Sequence, residues 1–261
     1  MNHKAYMQNL LRSLFITHKP AASFELIYVD NCSTDGTMEM IAAEFPEVKI
    51  IQNEKPKGFG ENNNLGVKHS TGKYIAIINP DIELLDKSLD SLLNFHEKLN
   101  YDAVLVPKLI NPDGSLQFSA RGFVTGNSLI GRILTRGNDD TARKSVKKYL
   151  FTDINPLQTQ FVDWSIGAAL FLKKSLFEKL GGFDEDYFLY LEDTDLCLRA
   201  WKNENPVIYM PESVMVHNHL RASSKKLRPA IIHLKSYVTY FRKHGLAVKS
   251  VIEKSDHKLP D

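Results

Sequence analysis

"FELIYVDNCSTDGT", residues 24–37, carries the decision about the fold. An apolar run ends at Asp30 and at once releases Asn31, Ser33, Thr34, Asp35 and Gly36. In an open α/β sheet, ligands bind just beyond the carboxyl ends of the strands. A strand end so rich in acceptors and hydroxyls is either a helix cap or the lip of a binding crevice.

Outward from that stretch, elements alternate. Met7, Leu10, Leu11, Leu14 and Phe15 recur at helical spacing, which predicts a helix over about 4–17 before the strand at 24–30. Ser33 or Asp35 can cap a helix carrying Met38, Ile41, Ala42 and Phe45. A strand at 48–53, a Gly-opened helix at 58–70 and the apolar run "KYIAIINPD" (73–81) come next. A helix over 87–98 and a strand over 101–107 complete a β-α-β series, which implies a parallel sheet with helices on both faces. After Pro107 the pattern breaks. "NPDGS" (111–115) is a turn, and 119–158 is a long basic excursion of the kind that is usually functional. Strands are expected at 206–210 and 213–217, and a helix at about 229–244.

With 261 residues, 43% of them hydrophobic, 25% charged and a net charge of +2, the chain reads as a globular protein without a nucleic-acid partner. Cys32 and Cys197 fit neither a disulfide framework nor a zinc cluster, which points to a reducing cytoplasm. No apolar run approaches the roughly 20 residues that span a bilayer, and no signal-peptide core is visible.

Three groups suited to chemistry sit at element ends. Asn79-Pro80-Asp81 closes an apolar strand, where a carboxylate can hold a divalent ion or simply cap a turn. Glu192-Asp193, followed by Asp195, opens a helix whose dipole favours an ionised carboxylate, although acidic first turns are common. His217 ends the strand "SVMVH"; imidazole is a good metal ligand, and His219 is its near neighbour and competitor.

"VDNCSTDGT", "GFGENNNLG", "INPD", "GAALFLKKSLFEKLGGFDEDYFLYLEDTDLCLRA" and "PESVMVHN" occur in this order. In this the chain resembles the inverting nucleotide-sugar glycosyltransferases of family two, nearest the rhamnosyltransferase-like branch of cell-surface polysaccharide synthesis. The likeness covers residues 2 to about 245. It implies the GT-A fold, one α/β domain with a mostly parallel central sheet. By the same resemblance, Asp30 contacts the donor base, and Asn31, Ser33, Gly58, Phe59, Asn63 and Asn64 line the nucleotide pocket. Asn79 and Asp81 occupy the places of the Asp-X-Asp motif. Asp81 and His217 bind Mg²⁺ or Mn²⁺, and Asp193 is the general base. Glu192 and "WSIGAALF" (164–171), with Trp164, Ser165 and Gly167, face the acceptor, although Trp164 equally suits a core.

Within one domain over 1–245, the resemblance divides the chain into a nucleotide-binding half (1–107), an acceptor and catalytic half (108–220) and a basic helix (221–245), with a tail at 246–261. The family's first strand is absent here, so either the native start lies upstream or the form is shortened. The rival expectation is therefore a non-catalytic nucleotide-sugar-binding or scaffold descendant. Arg221 to Lys249 holds eight Lys/Arg and no acid. Together with Arg121, Arg132, Arg136, Arg143, Lys144, Lys147 and Lys148 it suits either a solvated helix face or peripheral contact with an anionic membrane. Arg221 can also grip a diphosphate. The expected partners are a nucleotide-diphosphate sugar, dTDP-rhamnose first and a UDP-sugar second, and a glycan or lipid-linked acceptor.

Overall fold

In the computed structural model, which describes residues 2–134, 149, 155–218, 227–252 and 255–260, the chain opens with α1 (Lys4–Arg12). Its end loosens into a π-helical turn at Ser13–Thr17. Met7, Leu10 and Leu11 share one face and are buried, as their spacing requires. β1 (Ile27–Asp30), α2 (Thr37–Glu44), β2 (Lys49–Gln52) and α3 (Phe59–Lys68) follow. β1 and β2 form a parallel pair in register from Ile27/Lys49 to Asp30/Gln52. β3 (Tyr74–Ile78), β4 (Ile82–Leu84), α4 (Ser88–Lys98) and β5 (Val104–Ile110) complete the first half.

The second half holds β6 (Ala120–Arg121), α5 (Gly126–Leu134), β7 (Gln160–Phe161), β8 (Trp164–Ser165) and β9 (Ala169–Lys173). It continues through α6 (Lys174–Lys179), α7 (Glu192–Lys202), β10 (Val207–His217) and α8 (Leu227–His244). The six-stranded sheet runs β3-β9-β5-β10-β4, with β7 alongside β10. Successive residues of β5 point to opposite faces: Val104 and Val106 join one core, Leu105 and Leu109 the other. α1, α2 and α4 cover the second core, while α6, α7 and α8 cover the first. The expected layering of helices on both faces is therefore present.

Three expectations change. The sheet is mixed: within it only β5/β10 pair in parallel, and β9 runs antiparallel to both β3 and β5. β3 is an edge strand in which Ile75 and Ile77 are buried, Tyr74 and Ile78 are half-buried and Ala76 is exposed, and an apolar run of this kind is silent on the direction of its partner. The two strands expected at 206–210 and 213–217 are one, β10, with a bulge between Met210 and Val214 that absorbs Pro211. The residues after 245 lie against the domain. Gly126 N–H donates to the Leu246 carbonyl (2.9 Å), Ser250 to Asp163 (2.6 Å) and Tyr101 Oη to the Lys258 carbonyl (2.8 Å).

Candidate active site

Asp81 lies in the turn between β3 and β4, and His217 is the last residue of β10. β4 and β10 pair antiparallel with Ile82 opposite His217, and Asn218 N–H donates to the Asp81 carbonyl at 2.8 Å. That register brings His217 Nε2 to 3.6 Å from Asp81 Oδ1. The gap is too wide for a hydrogen bond. It is close to the spacing of two ligands on one cation, since neighbouring ligands at about 2.1 Å in an octahedral shell stand about 3 Å apart. An acceptor oxygen and a ring nitrogen thus converge, and the pair fits a divalent ion. Burial pushes the Asp81 carboxyl up, but the His217 ring in its protonated form, a backbone N–H and the His3 ring outweigh it and hold the carboxyl below its ordinary value. Among the described residues, no three His, Cys, Asp or Glu side chains converge as a cation cluster.

Asp193 stands in the first turn of α7. Its Oδ2 accepts the Gly167 N–H and its Oδ1 the Thr194 N–H, both at 2.7 Å. Burial raises its pKa, and those N–H groups, which favour the ionised form, only partly offset the rise. Glu192 is buried, and its Oε2 has no hydrogen-bond partner. Desolvation and the neighbouring Asp193 charge push its pKa well up. Tyr190 and Leu191, directly before this pair, both hold positive φ (73° and 68°). For non-glycine residues such strain is of order 1–3 kcal/mol each and concentrates at functional sites.

Gly167 links the two groups. The carbonyl of its neighbour Ala168 accepts the Asn79 N–H at 2.9 Å. Two adjacent residues at the start of β9 therefore tie the Asn79–Asp81 turn to the Asp193 carboxylate. A methyl at Gly167 would lie 3.1 Å from Asp193 Cβ, so any side chain here would press Asp193 back by a few tenths of an ångström. A groove of about 500 Å³ bounded by Lys98–Tyr101 and Asp256–Pro260 lies before the start of β5 and contains none of these groups.

The strand end at Asp30 is tied to its neighbours by side-chain hydrogen bonds. The Asp30 carboxylate is fully buried, accepting Tyr28 Oη at 3.0 Å and the Ser33 N–H at 2.9 Å, so any contact with a donor base must use the lone pairs left over. Asn31 Oδ1 accepts the Lys57 N–H (2.8 Å) and Asn53 Nδ2 (3.1 Å), and Asn31 Nδ2 donates to the Lys57 carbonyl (3.0 Å). The Ser33 hydroxyl accepts the Asn2 N–H. Asp35 receives the Lys4 N–H at the start of α1 and the Thr37 N–H at the start of α2, so it serves two helices.

Gly58 precedes α3 because the Phe188 backbone passes there. A methyl on it would come within 2.8 Å of the Phe188 carbonyl oxygen, which itself accepts the Phe59 N–H at 2.9 Å. The Phe59 ring meets Phe183 edge-on, and Asn63 Nδ2 bonds within α3 to the Phe59 carbonyl. Asn64, expected to line the nucleotide pocket, is instead committed to the Phe183 backbone in both directions and to Glu185. It staples α3 to the Gly-Gly-Phe-Asp-Glu block because it leaves the helix on the face turned toward that block. Trp164, expected at the acceptor, is buried in the core with its Nε1–H on the Gly122 carbonyl at 2.7 Å. Ser165 is likewise buried, in β8 beside β6. Adjacent strand residues point to opposite faces, so their joint burial means that both faces of this short strand are covered.

Sequence reasoning missed Gln117, whose Oε1 lies 2.6 Å from His217 Nδ1. No spacing announces it; only its nearness to the "NPDGS" turn could have. It missed Phe188 for the same reason. His219, Arg221, Arg136, Arg143, Lys144, Lys147 and Lys148, and the side chain of Arg132, lie outside the described residues.

Comparison with known proteins converges on one family. The glycosyl transferase family 2 profile matches residues 1–180. The N-acetylglucosaminyl-diphospho-decaprenol L-rhamnosyltransferase of Mycobacterium tuberculosis is 26% identical over 259 residues, covering 92% of this chain and 81% of that protein. Rhamnosyltransferase WbbL of Escherichia coli K12 is 28% identical over 250 residues, covering 91% and 88%. GalNAc-T7, solved with UDP, GalNAc and Mn²⁺, superposes with a TM-score of 0.66 at 17% identity over 91% of this chain and 46% of that one. The mannosyltransferase PcManGT of Pyrobaculum calidifontis, solved with GDP-Man and Mn²⁺, superposes with a TM-score of 0.57 at 18% identity, covering 99% and 63%. The fold is that of the GT-A enzymes, and the chain belongs to glycosyl transferase family 2.

Proposed function

We propose that this chain transfers a sugar, rhamnose first among the candidates, from a nucleotide-diphosphate donor to a glycan or lipid-linked glycan with inversion at the anomeric carbon. The observation that carries the reading is the junction at β9. Gly167 N–H holds Asp193, and the adjacent Ala168 carbonyl holds the turn that bears Asp81. In this reading Asp193 accepts the proton of the acceptor hydroxyl as that oxygen attacks from the face opposite the leaving diphosphate. The burial that raises its pKa makes it a stronger base than a free aspartate, and the two backbone donors keep it aimed. Asp81 and His217 would hold a Mg²⁺ or Mn²⁺ ion, which would supply charge stabilisation for the leaving diphosphate. With Asn79 in place of a second aspartate, Asp81 would be the carboxylate of that pair. Asn31, Ser33, Gly58, Phe59 and Asn63 shape the donor pocket, Asp30 braces its lip, and Glu192 and Gly167 face the acceptor.

Asp193→Asn tests the assignment. Transfer should fall by roughly 10²–10⁴-fold, while thermal-shift stabilisation by nucleotide-sugar with Mn²⁺ stays unchanged. Activity equal to wild type would remove Asp193 from the role. Mn²⁺-dependent hydrolysis of any donor by the wild type separates this reading from a non-catalytic descendant.

A second reading, peripheral contact with an anionic membrane, is favoured by one face of α8, where Ile231, Leu234 and Val238 are exposed. No described helix is long and apolar enough to cross a bilayer. Sedimentation with phosphatidylglycerol vesicles, reduced by Leu234→Asp with Val238→Asp, is the expected result; equal sedimentation with neutral vesicles would end it.

A further inference from the structure

The "NPDGS" turn lies next to the cation site, and its side chains form a hydrogen-bond chain with only one possible direction. Asp113 is a carboxylate and can only accept, so the Ser115 hydroxyl, 2.6 Å away, must donate to it. Ser115 Oγ then receives Asn111 Nδ2 at 2.9 Å. That leaves Asn111 Oδ1 facing Gln117, whose Nε2 donates to it at 3.1 Å. Gln117 Oε1 is thereby turned toward His217 and must accept from Nδ1, 2.6 Å away. The backbone fixes the same arrangement: Asn111 N–H donates to the Ser115 carbonyl (2.8 Å) and Gln117 N–H to the Leu109 carbonyl (3.0 Å). The nitrogen that faces Asp81 is Nε2.

We propose that Gln117 is a positioning residue of the cation site: the chain from Asp113 through Ser115, Asn111 and Gln117 locks His217 as its Nδ1–H tautomer and aims the Nε2 lone pair at the space beside Asp81. The tautomer is the part that matters. A glutamine amide turned the other way would donate to Nδ1, place the proton on Nε2 and point it into the position of the ion. Asn111 prevents that flip, because the flipped amide would set two carbonyl oxygens against each other. A surface turn thus decides which ring nitrogen is available at a strand end, the usual service of an outer-shell partner to a metal-binding histidine. The inference rests on Asp81 and His217 being the cation ligands.

Two readouts test it without recourse to activity. In the metal-free full chain at about pH 8, above the ordinary imidazole range, ¹⁵N–¹H correlation spectra should show His217 with Nδ1 protonated and Nε2 bare. Asn111→Ala and Gln117→Leu should each shift it toward a mixture, while Asn111→Asp, which keeps an oxygen to accept Gln117 Nε2, should retain the wild-type pattern. Mn²⁺ affinity by calorimetry should fall about 10–100-fold in Gln117→Leu and be retained in Asn111→Asp. Nε2–H as the main wild-type form, or an unchanged tautomer and Mn²⁺ affinity in Gln117→Leu, would overturn the proposal. A wild type that shows the stated tautomer yet binds no Mn²⁺ overturns the cation reading instead and leaves the tautomer lock standing.

Discussion

Asp193 and Glu192 are adjacent carboxyls in one helical turn, and their surroundings separate them. Asp193 has two backbone donors. Glu192 has a buried oxygen with none, and burial together with the Asp193 charge raises its pKa well above 4.5. A carboxyl whose pKa is higher folded than unfolded binds more protons in the native state, so stability falls as pH rises through that interval. Wild type should therefore lose stability from about pH 4.5 upward, and Glu192→Gln should flatten that slope. Urea melts across the range check this; parallel slopes would show that Glu192 does not titrate as described. At this scale the sequence singled out Asp81, His217 and Asp193, and the structure places each of them at or beside an element end. The sequence left Trp164 open between acceptor site and core and did not announce the bonds of Asn64 to Phe183 and Glu185, since a side chain's face is set by the register of neighbours far away in sequence.

α3 and α8 both contact the segment 183–190. α3 starts where the backbones of Gly58 and Phe188 touch, and Gly58→Ala would drive a methyl into a carbonyl oxygen at 2.8 Å. Overpacking of this kind costs about 1–3 kcal/mol, so a lowered melting temperature is expected; an unchanged melt would mean that the 183–190 segment yields freely. α8 straps that segment down. Ser236 Oγ donates to the Leu189 carbonyl at 2.7 Å, the His233 ring lies 4.4 Å from Tyr190, and Lys243 pairs with Asp184 and Asp186. The basic charge at the end of this helix is thus partly spent inside the molecule. α8 itself was legible from its apolar spacing, but its acidic partners were not, because they precede it by about sixty residues.

Across the whole molecule, the buried carboxylate of Asp195 joins α8 to α7. Asp195 accepts Arg199 Nε and His244 Nε2, both at 2.7 Å, and Arg199 also donates to the carbonyls of Leu180 and Gly182. Burial alone would raise the Asp195 pKa, but His244 and Arg199 outweigh it and hold it below 3.8. A depressed carboxyl contributes stability that is present above its unfolded value and lost as pH falls through the folded one. Asp195→Asn should cost about 3 kcal/mol at neutral pH, and its deficit should shrink below about pH 4. Denaturant midpoints at both pH values decide it, and a pH-independent deficit would point to packing instead.

By itself the sequence determined the alternation of elements, the family, and the candidate groups at element ends, because local periodicity and motif order are carried by neighbours along the chain. Only the tertiary structure decided the direction of β9, the inward turn of Trp164, the commitment of Asn64 and the link from Gln117 to His217. Those depend on pairings between residues as far as 121 positions apart, where register and packing, rather than local preference, select the partner.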